Sequence, residues 1–249
     1  DPAPGNVPCR ASVVNGRDRM VDQLPACALC ESQNPPCTGG GDPAPPGCPM
    51  AAMPNEIRRS RRAYGEDRAL HRLARAASLQ EAEGYGNRGG PGPPVPAKPR
   101  VLEVCELAKK LDADPVGIAF CIGLRREAGL CQRILEAQGL RVASVCCKAG
   151  ATPKESLDLS DDQKIRPGSF EAMCSPVAQA MVLNACGCGL NVVVGLCVGH
   201  DSIFFRYSEA PVTVLVAKDR LLCHNPAGAL HLSGSYYRYL TRRDGVKSD

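Results

Sequence analysis

From residue 100 onward the chain alternates between stripes of apolar residues at helical spacing and short solid apolar runs. VLEVCELAKKLDAD (101–114) has the spacing of an amphipathic helix, and PVGIAFCIG (115–123) that of a strand buried on both faces. RREAGLCQRILEAQG (125–139) is a second helix, ended by Gly139 where a left-handed cap is expected. LRVASVCC (140–147) is a second strand, and the polar ATPKESLDLSDDQKIRPGSFEA (151–172) a long loop. SPVAQAMVLNACG (175–187) begins with Ser175 as N-cap and Pro176 in the first turn, a helix start. LNVVVGLCVG (190–199) and APVTVLVAKD (210–219) are the third and fourth strands, separated by the short helix HDSIFFRYS (200–208). NPAGALHLSGSYYRYL (225–240) closes the pattern as helix or turn.

Upstream the pattern changes twice. Residues 1–53 are rich in Pro, Gly and Cys, with no periodicity that would bury a core. Residues 54–86 carry an apolar stripe (Ile57, Ala63, Leu70, Leu73, Ala77, Leu79) with Arg and Glu around it, which predicts a helical region. NRGGPGPPVPAKP (87–99) is a Pro/Gly linker unable to form helix or central strand. The expected organisation is a Cys-rich segment at 1–53, the helical region at 54–86, the linker at 87–99 and an α/β domain at 100–249.

Short β-branched runs alternating with helices imply parallel strands covered on both faces. The fold class is therefore α/β: a Rossmann-like, doubly wound, mostly parallel sheet of about four to five strands. Ligand crevices in such sheets lie at the carboxyl ends of the strands. No GxGxxG follows the first strand, so nothing supports a dinucleotide site.

Composition narrows the functions. Lys+Arg 30 against Asp+Glu 26 is too even to argue for nucleic acid, and with no Trp and four Phe there is little to stack bases on. The run IRRSRRAYGEDR (57–68) reads as a solvated helix face. No apolar run reaches the ~18–20 residues of a membrane span. The opening DPAPGNVPCR has neither the charged n-region nor the apolar h-region of a secretory signal, and a cytoplasmic protein is expected. A small-molecule substrate is the expected partner, and no oligomeric state follows from the pattern.

Cysteine is the anomaly, with 15 in the chain. An odd number, many inside apolar strand-like runs, favours thiols kept reduced for metal or redox work over a disulfide framework. Cys27, Cys30, Cys37 and Cys48 form one constellation, its C-x-x-C able to turn two sulfurs onto one ion. Zinc and an iron–sulfur cluster both suit these donors, and metal binding would supply folding energy that the segment lacks. Cys9 lies outside the set. Cys105, Cys131 and Cys186 fall on predicted helices, where packing is the simpler account.

A second constellation gathers at the predicted strand ends. Cys121 ends the first strand, Cys146 and Cys147 the second, and Cys197 the third, with Cys174 just before a helix. His200 and Asp201 follow Cys197 at once. Beyond the fourth strand come Lys218, Asp219, Cys223, His224 and Asn225. Two chemistries fit. Cys121, Cys147, Cys174 and Cys197 could hold a cluster or soft metal. Alternatively Cys174 or Cys197, beside a helix N-terminus, is a thiolate nucleophile. His200 or His224 is then base or acid, and Asp201 or Asp219 orients it, with Lys218 beside them. The plain alternative for His200–Asp201 is a helix N-cap without chemistry.

AFCIGLRREA, SVCCKAG, MCSPVAQA, GLCVGHDSIF, KDR-x-x-x-HNP and SYYR, with the N-terminal C-x-x-C and GCPM, resemble a family of uncharacterised prokaryotic proteins. That family occurs in archaea and anaerobic bacteria and is described as predicted metal-binding proteins, a domain of unknown function. The resemblance covers about residues 27–240. Carried over by position, it implies roles for the eight thiols Cys27, Cys30, Cys37, Cys48, Cys121, Cys147, Cys174 and Cys197. It also implies roles for Lys148, Gln179, Asn191, His200, Asp201, Lys218, Asp219, Arg220, His224 and Asn225. The chain departs from the family in Cys186 and Cys188, in Ser175 where Asn is expected, and in a longer insert at 89–99.

Three functions remain open on the sequence. The first is a metal-binding, iron–sulfur protein with redox, sulfur-transfer or desulfuration chemistry. The second is a non-catalytic zinc sensor or accessory protein. The third is a metal-independent cysteine-nucleophile enzyme.

Overall fold

The computed structural model describes residues 24–242. The chain divides at His71/Arg72 into two compact units. Cys9 lies outside the described residues.

In the first unit two single 3-10 turns, Cys27–Leu29 and Pro36–Thr38, precede the one-turn helix α1 (Pro49–Ala52) and the longer α2 (Pro54–Glu66). None of these four elements contains a buried residue, as the Pro/Gly/Cys composition implies. Asp42 ties the Cys-rich segment locally, accepting from Ser32 Oγ (2.7 Å) and from the Asn34 amide (3.0 Å). The helical stripe at 54–86 does not make one helix. Asp67 leaves the helical backbone (φ −97°, ψ 106°). Its Oδ1 accepts from the amides of Ala69 (2.9 Å) and Leu70 (3.0 Å), so it caps a new helix, α3 (Arg68–Glu83). An Asp whose side chain can satisfy the free amides of a helix start interrupts a stripe that periodicity alone reads as continuous.

The second unit is mixed α/β around a four-stranded sheet. After α4 (Arg100–Lys110) come β1 (Val116–Phe120), α5 (Arg125–Ala137), β2 (Val142–Cys146), α6 (Pro176–Ala185), β3 (Leu190–Val194), α7 (His200–Tyr207), β4 (Val212–Val216) and α8 (Ala227–His231). All pairings are parallel and the spatial order is β2-β1-β3-β4. The central strands are the most apolar: β3 is buried throughout and β1 at four of five positions, while β2 and β4 at the edges are only partly covered. Ile118, Leu124, Leu135, Leu183, Leu190, Val192–Val194 and Phe204 form the heart of the core. Gly139 adopts φ +85°, the left-handed turn that lets the chain leave α5 for β2. Ser175 caps α6 through Oγ, which accepts from the Ala178 amide.

The Pro/Gly stretch after α3 contributes only a two-residue antiparallel ladder, Tyr85–Gly86 with Val95–Pro96. The polar loop after β2 is more ordered than its composition implies. A bridge between Pro153 and Ala172 closes its base, and Lys154 pairs with Glu171 (2.6 Å). Further along, Lys164 pairs with both Glu155 (2.6 Å) and Asp161 (2.7 Å). Among the described residues no helix is long and apolar enough to cross a membrane.

Gly117 on β1 sits in register with Asn191 on β3, a polar side chain buried completely in the sheet. Asn191 Nδ2 donates to Ser208 Oγ (2.8 Å). A Cβ on residue 117 would lie 2.0 Å from Asn191 Oδ1 and 3.0 Å from Leu183 Cδ1. Gly117→Ala is therefore expected to destabilise the protein by about 2–4 kcal/mol, read as a lower urea midpoint, because it overpacks the core and displaces a buried amide. An unchanged midpoint would show that Asn191 can move aside without cost.

Candidate functional site at the carboxyl edge of the sheet

Parallel pairing sends every strand of the sheet out at one edge, so the residues following β1, β2, β3 and β4 meet there. Cys121 directly follows β1, and Cys146–Cys147 finish β2 and its first step beyond. The ladder persists at that step: the Cys147 amide donates to Phe120 O (2.9 Å) and the Cys121 amide to Val194 O (3.2 Å). Cys174 stands before α6, where the Ser175 amide donates to Cys147 O (2.8 Å). Gln179 on α6 is fully buried, and its Nε2 donates to Phe120 O (3.1 Å) and Val145 O (2.7 Å). One side chain thus fastens together the two strand ends that carry Cys121 and Cys146–Cys147.

Three thiols meet in this frame. The Cys147 thiol lies near enough to Cys121 and Cys174 to act on both, and its sulfur accepts from the Ile122 amide (3.4 Å). Lys218, just past β4, donates from Nζ to Cys121 Sγ at 2.7 Å. Gly123 leaves the room for it: a Cβ there would come within 3.3 Å of Lys218 Nζ.

The charges sort the three sulfurs. The Cys147 hydrogen bond, followed by the Lys218 hydrogen bond and charge, holds the Cys121 thiol down at about 4, overriding the burial that opposes ionisation. Cys174 is held at about 5, first by Cys147 and then by the charges of Lys148 and His200. Cys147, between two thiolates and desolvated, is pushed strongly up and keeps its proton. By contrast burial alone raises Cys131 and Cys188 to about 11, so these two are packing thiols.

The turn after β3 reaches the same edge differently. Gly195 (φ +67°) and Gly199 (φ +85°) bend the GLCVGHD stretch into α7. Cys197 O accepts from the amides of His200 (2.9 Å) and Asp201 (3.2 Å). Cys197 Sγ faces Arg220, whose Nη2 donates to it at 3.0 Å. Asp201 Oδ1 accepts from the amides of Gly199 (3.1 Å) and Ser202 (2.8 Å), so its carboxylate secures its own turn. His200 Nδ1 is buried and without a hydrogen-bond partner among the described residues.

Asp219 and His224 form a tight local turn. Asp219 Oδ1 accepts from the amides of Leu221 (2.9 Å) and Leu222 (2.8 Å). The Asp219 amide donates to His224 Nδ1 (3.2 Å), and Asp219 O accepts from the His224 amide (2.8 Å). Cys223 and His224 both take positive φ, +50° and +64°. The structure therefore brings together Cys121, Cys147, Cys174 and Lys218. It sets Cys197 beside Arg220 and uses Asp201, Asp219 and His224 in backbone turns. The strand pattern gave no role to Lys148, Arg220 or Gln179. Their signal was present, in a cation directly after CC, in KDR after a strand, and in a Gln on the apolar stripe of α6.

The first-unit cysteines share one feature. Cys27, Cys30, Cys37 and Cys48 all line a single cavity of about 450 Å³, walled also by Pro35 and Pro45. Four soft donors around one hollow suit a thiophilic metal. Their side chains are not drawn together, however: no three His, Cys, Asp or Glu residues among those described are grouped to hold an ion. All four thiols are free.

The profile of a family described as "Protein of unknown function (DUF1847)" matches residues 48–215, more than half of the chain. The chain belongs to the DUF1847 family. The matched range contains β1, β2, β3, the helices α4 to α7 and β4 as far as Leu215, together with Cys48, Cys121, Cys147, Cys174 and Cys197. It stops short of Lys218 and Arg220. An archaeal relative, "Uncharacterized protein MJ0455" of Methanocaldococcus jannaschii, is 46% identical over 134 residues, 54% of this chain and 67% of the relative. No solved structure matches.

Proposed function

We propose that the carboxyl edge of the sheet is a thiolate-nucleophile site for sulfur-handling chemistry on a small molecule, with Cys121 as the attacking group. The observation that carries this reading is the Lys218 ammonium 2.7 Å from Cys121 Sγ, with the Cys147 thiol on the same sulfur. A thiolate is the reactive form of cysteine, and a cation in direct contact with it keeps it ionised without a metal. Lys218 positions and stabilises the thiolate. Gln179 keeps the two strand ends aligned, and Lys148 supplies positive charge to Cys174.

The fold supports a site at this place. Strand order reverses between β1 and β3. Right-handed crossovers through α5 and α6 would then put these helices on opposite faces, as in a doubly wound Rossmann-like sheet, with its crevice at the reversal. Cys121 stands at that point. The 14 described cysteines are all free, which supports a reducing, cytoplasmic setting.

A second reading has its own observation. The common cavity of Cys27, Cys30, Cys37 and Cys48 supports a thiophilic metal, zinc or an iron–sulfur cluster, in the first unit. There it would link segments that bury nothing of their own. No step of the thiol chemistry passes through it.

Anaerobic purification with metal and sulfide analysis separates the sites. Metal is expected to be lost in Cys27→Ser and kept in Cys121→Ser, while Cys121 is alkylated at neutral pH well ahead of Cys105 and Cys131. Iron and sulfide that disappear in Cys121→Ser, with an absorption band near about 400 nm in the parent protein, would make the strand-end thiols ligands and overturn the nucleophile reading.

A further inference from the structure

The thiolate reading leaves unexplained why a second thiol stands beside Cys121 at the end of the neighbouring strand. An isolated nucleophile needs one sulfur and one cation. Here Cys147 sits one ladder step beyond the Phe120–Cys146 register pair, and Cys121 one step beyond the same pair on the neighbouring strand. The ladder hydrogen bond from the Cys147 amide to Phe120 O holds the two strands together at that step. In-register neighbours on parallel strands project side chains to the same face and lie roughly 4.8 Å apart. A disulfide needs Cα atoms within about 4.4–6.8 Å of each other. Cys121 and Cys147 are therefore placed to bond with little backbone movement. Cys146, one residue earlier, projects to the other face. Cys197 faces Arg220 instead of the pair.

We propose that Cys121 and Cys147 are a two-thiol exchange couple acting on disulfides, Cys121 attacking and Cys147 resolving. The proposal rests on the thiolate reading above and deepens it by naming the substrate class. The Cys121 thiolate attacks one sulfur of a disulfide RS–SR. A Cys121–S–SR bond forms, the RS–SR bond breaks and RS⁻ leaves. With Cys121 now bonded and no longer an anion beside it, Cys147 gives its proton to the departed RS⁻, which leaves as RSH. The Cys147 sulfur then attacks Cys121 Sγ, forming the Cys121–Cys147 bond and releasing the second RS⁻. The substrate gains two electrons and the protein pair loses two. A dithiol reductant restores the pair by the reverse exchange.

The leaving thiolates bear on what the site accepts. Lys218 contacts Cys121, and Arg220, two residues on in the same turn, contacts Cys197. Two cations at the mouth favour disulfides whose departing half is anionic, either as a thiolate or through a carboxylate.

The test uses the full, pre-reduced chain under anaerobic conditions, with 5,5′-dithiobis(2-nitrobenzoate) as probe at one equivalent. Non-reducing peptide mapping by mass spectrometry separates these thiols from the exposed ones. The expected result is a Cys121–Cys147 cross-link formed ahead of any other pair and removed by dithiothreitol. In Cys147→Ser the aryl mixed disulfide should accumulate on Cys121, with its lifetime extended at least tenfold. In Cys146→Ser the cross-link should persist, which assigns the bond within the adjacent pair. The cross-link in the parent protein is decisive by itself if Cys147→Ser fails to fold. Labelling of Cys121 without a Cys121–Cys147 bond would overturn the couple and leave the nucleophile intact. An inert Cys121 would remove both.

Discussion

Replacing Lys218 with methionine is expected to shift the pH midpoint of Cys121 alkylation upward by roughly one to two units, the worth of a charge-assisted hydrogen bond. Methionine keeps the length and removes the ammonium that lies 2.7 Å from the sulfur. The parent midpoint should lie near 4, far below an ordinary thiol. Iodoacetamide labelling from about pH 2.5 to 9, read at the Cys121 peptide, measures both values. Cys147→Ala should act in the same direction and more strongly, since the Cys147 hydrogen bond is the larger cause of the depression. Cys147→Ser keeps a hydroxyl donor and should stay closer to the parent. Coincident profiles for the parent and Lys218→Met would remove the ammonium from the account of this thiolate.

The same sulfurs link stability to pH. Cys121 and Cys174 are depressed in the folded protein from 9.0 to about 4 and about 5. Their contribution is complete above the unfolded value and is lost as pH falls toward the folded ones. Cys147 is raised, so its contribution is complete below about pH 9 and is lost as pH climbs beyond. Stability under reducing conditions should therefore climb from pH 5 to 8, by no more than ~1.4 kcal/mol per unit for each thiol, and turn down above 9. Cys121→Ser should flatten the rising limb. A parent protein with no such slope would contradict a shared thiolate cluster.

The second large effect is structural. Gly195→Ala is expected to destabilise the protein by about 2–4 kcal/mol and to disturb the turn carrying Cys197 and His200. The backbone at 195 has φ +67°, which an L side chain adopts only at a cost. The added Cβ would stand 2.5 Å from Cδ2 of Leu124, itself packed in the core. Leu124→Ala opens that space. In its background the same glycine substitution should cost only the conformational share, about 1–2 kcal/mol. The double-mutant cycle read by urea denaturation separates the two terms. An equal cost in both backgrounds would place the whole penalty in the backbone.

The elements of the α/β unit were legible because its apolar runs are short, β-branched and punctuated. VGIAF, VASVC, LNVVV and VTVLV each became a strand, and the cap signals at Ser175 and Gly139 landed where chain chemistry puts them. The break at Asp67 was not, because a stripe counts apolar positions and ignores a side chain that caps amides. The order in the polar 151–172 loop was equally hidden, since its closing bridge and ion pairs join residues whose spacing has no period.

The candidate site divides along the same line. Composition and pattern alone determined that thiols would gather at the carboxyl ends of parallel strands, because alternation of helix and strand forces those ends to one edge. Only the tertiary structure decided which of them touch. Strand order sets Cys147 beside Cys121, and the turn after β4 aims Lys218 at one sulfur and Arg220 at another. His200 and Asp201, adjacent to Cys197 in the chain, do not share its contact: Asp201 holds backbone amides. The physical reason is range. Helix and strand preferences act over a few residues, whereas a thiolate is stabilised by whichever donor and cation lie within about 3 Å, and here those come from residues 26 and 97 positions away.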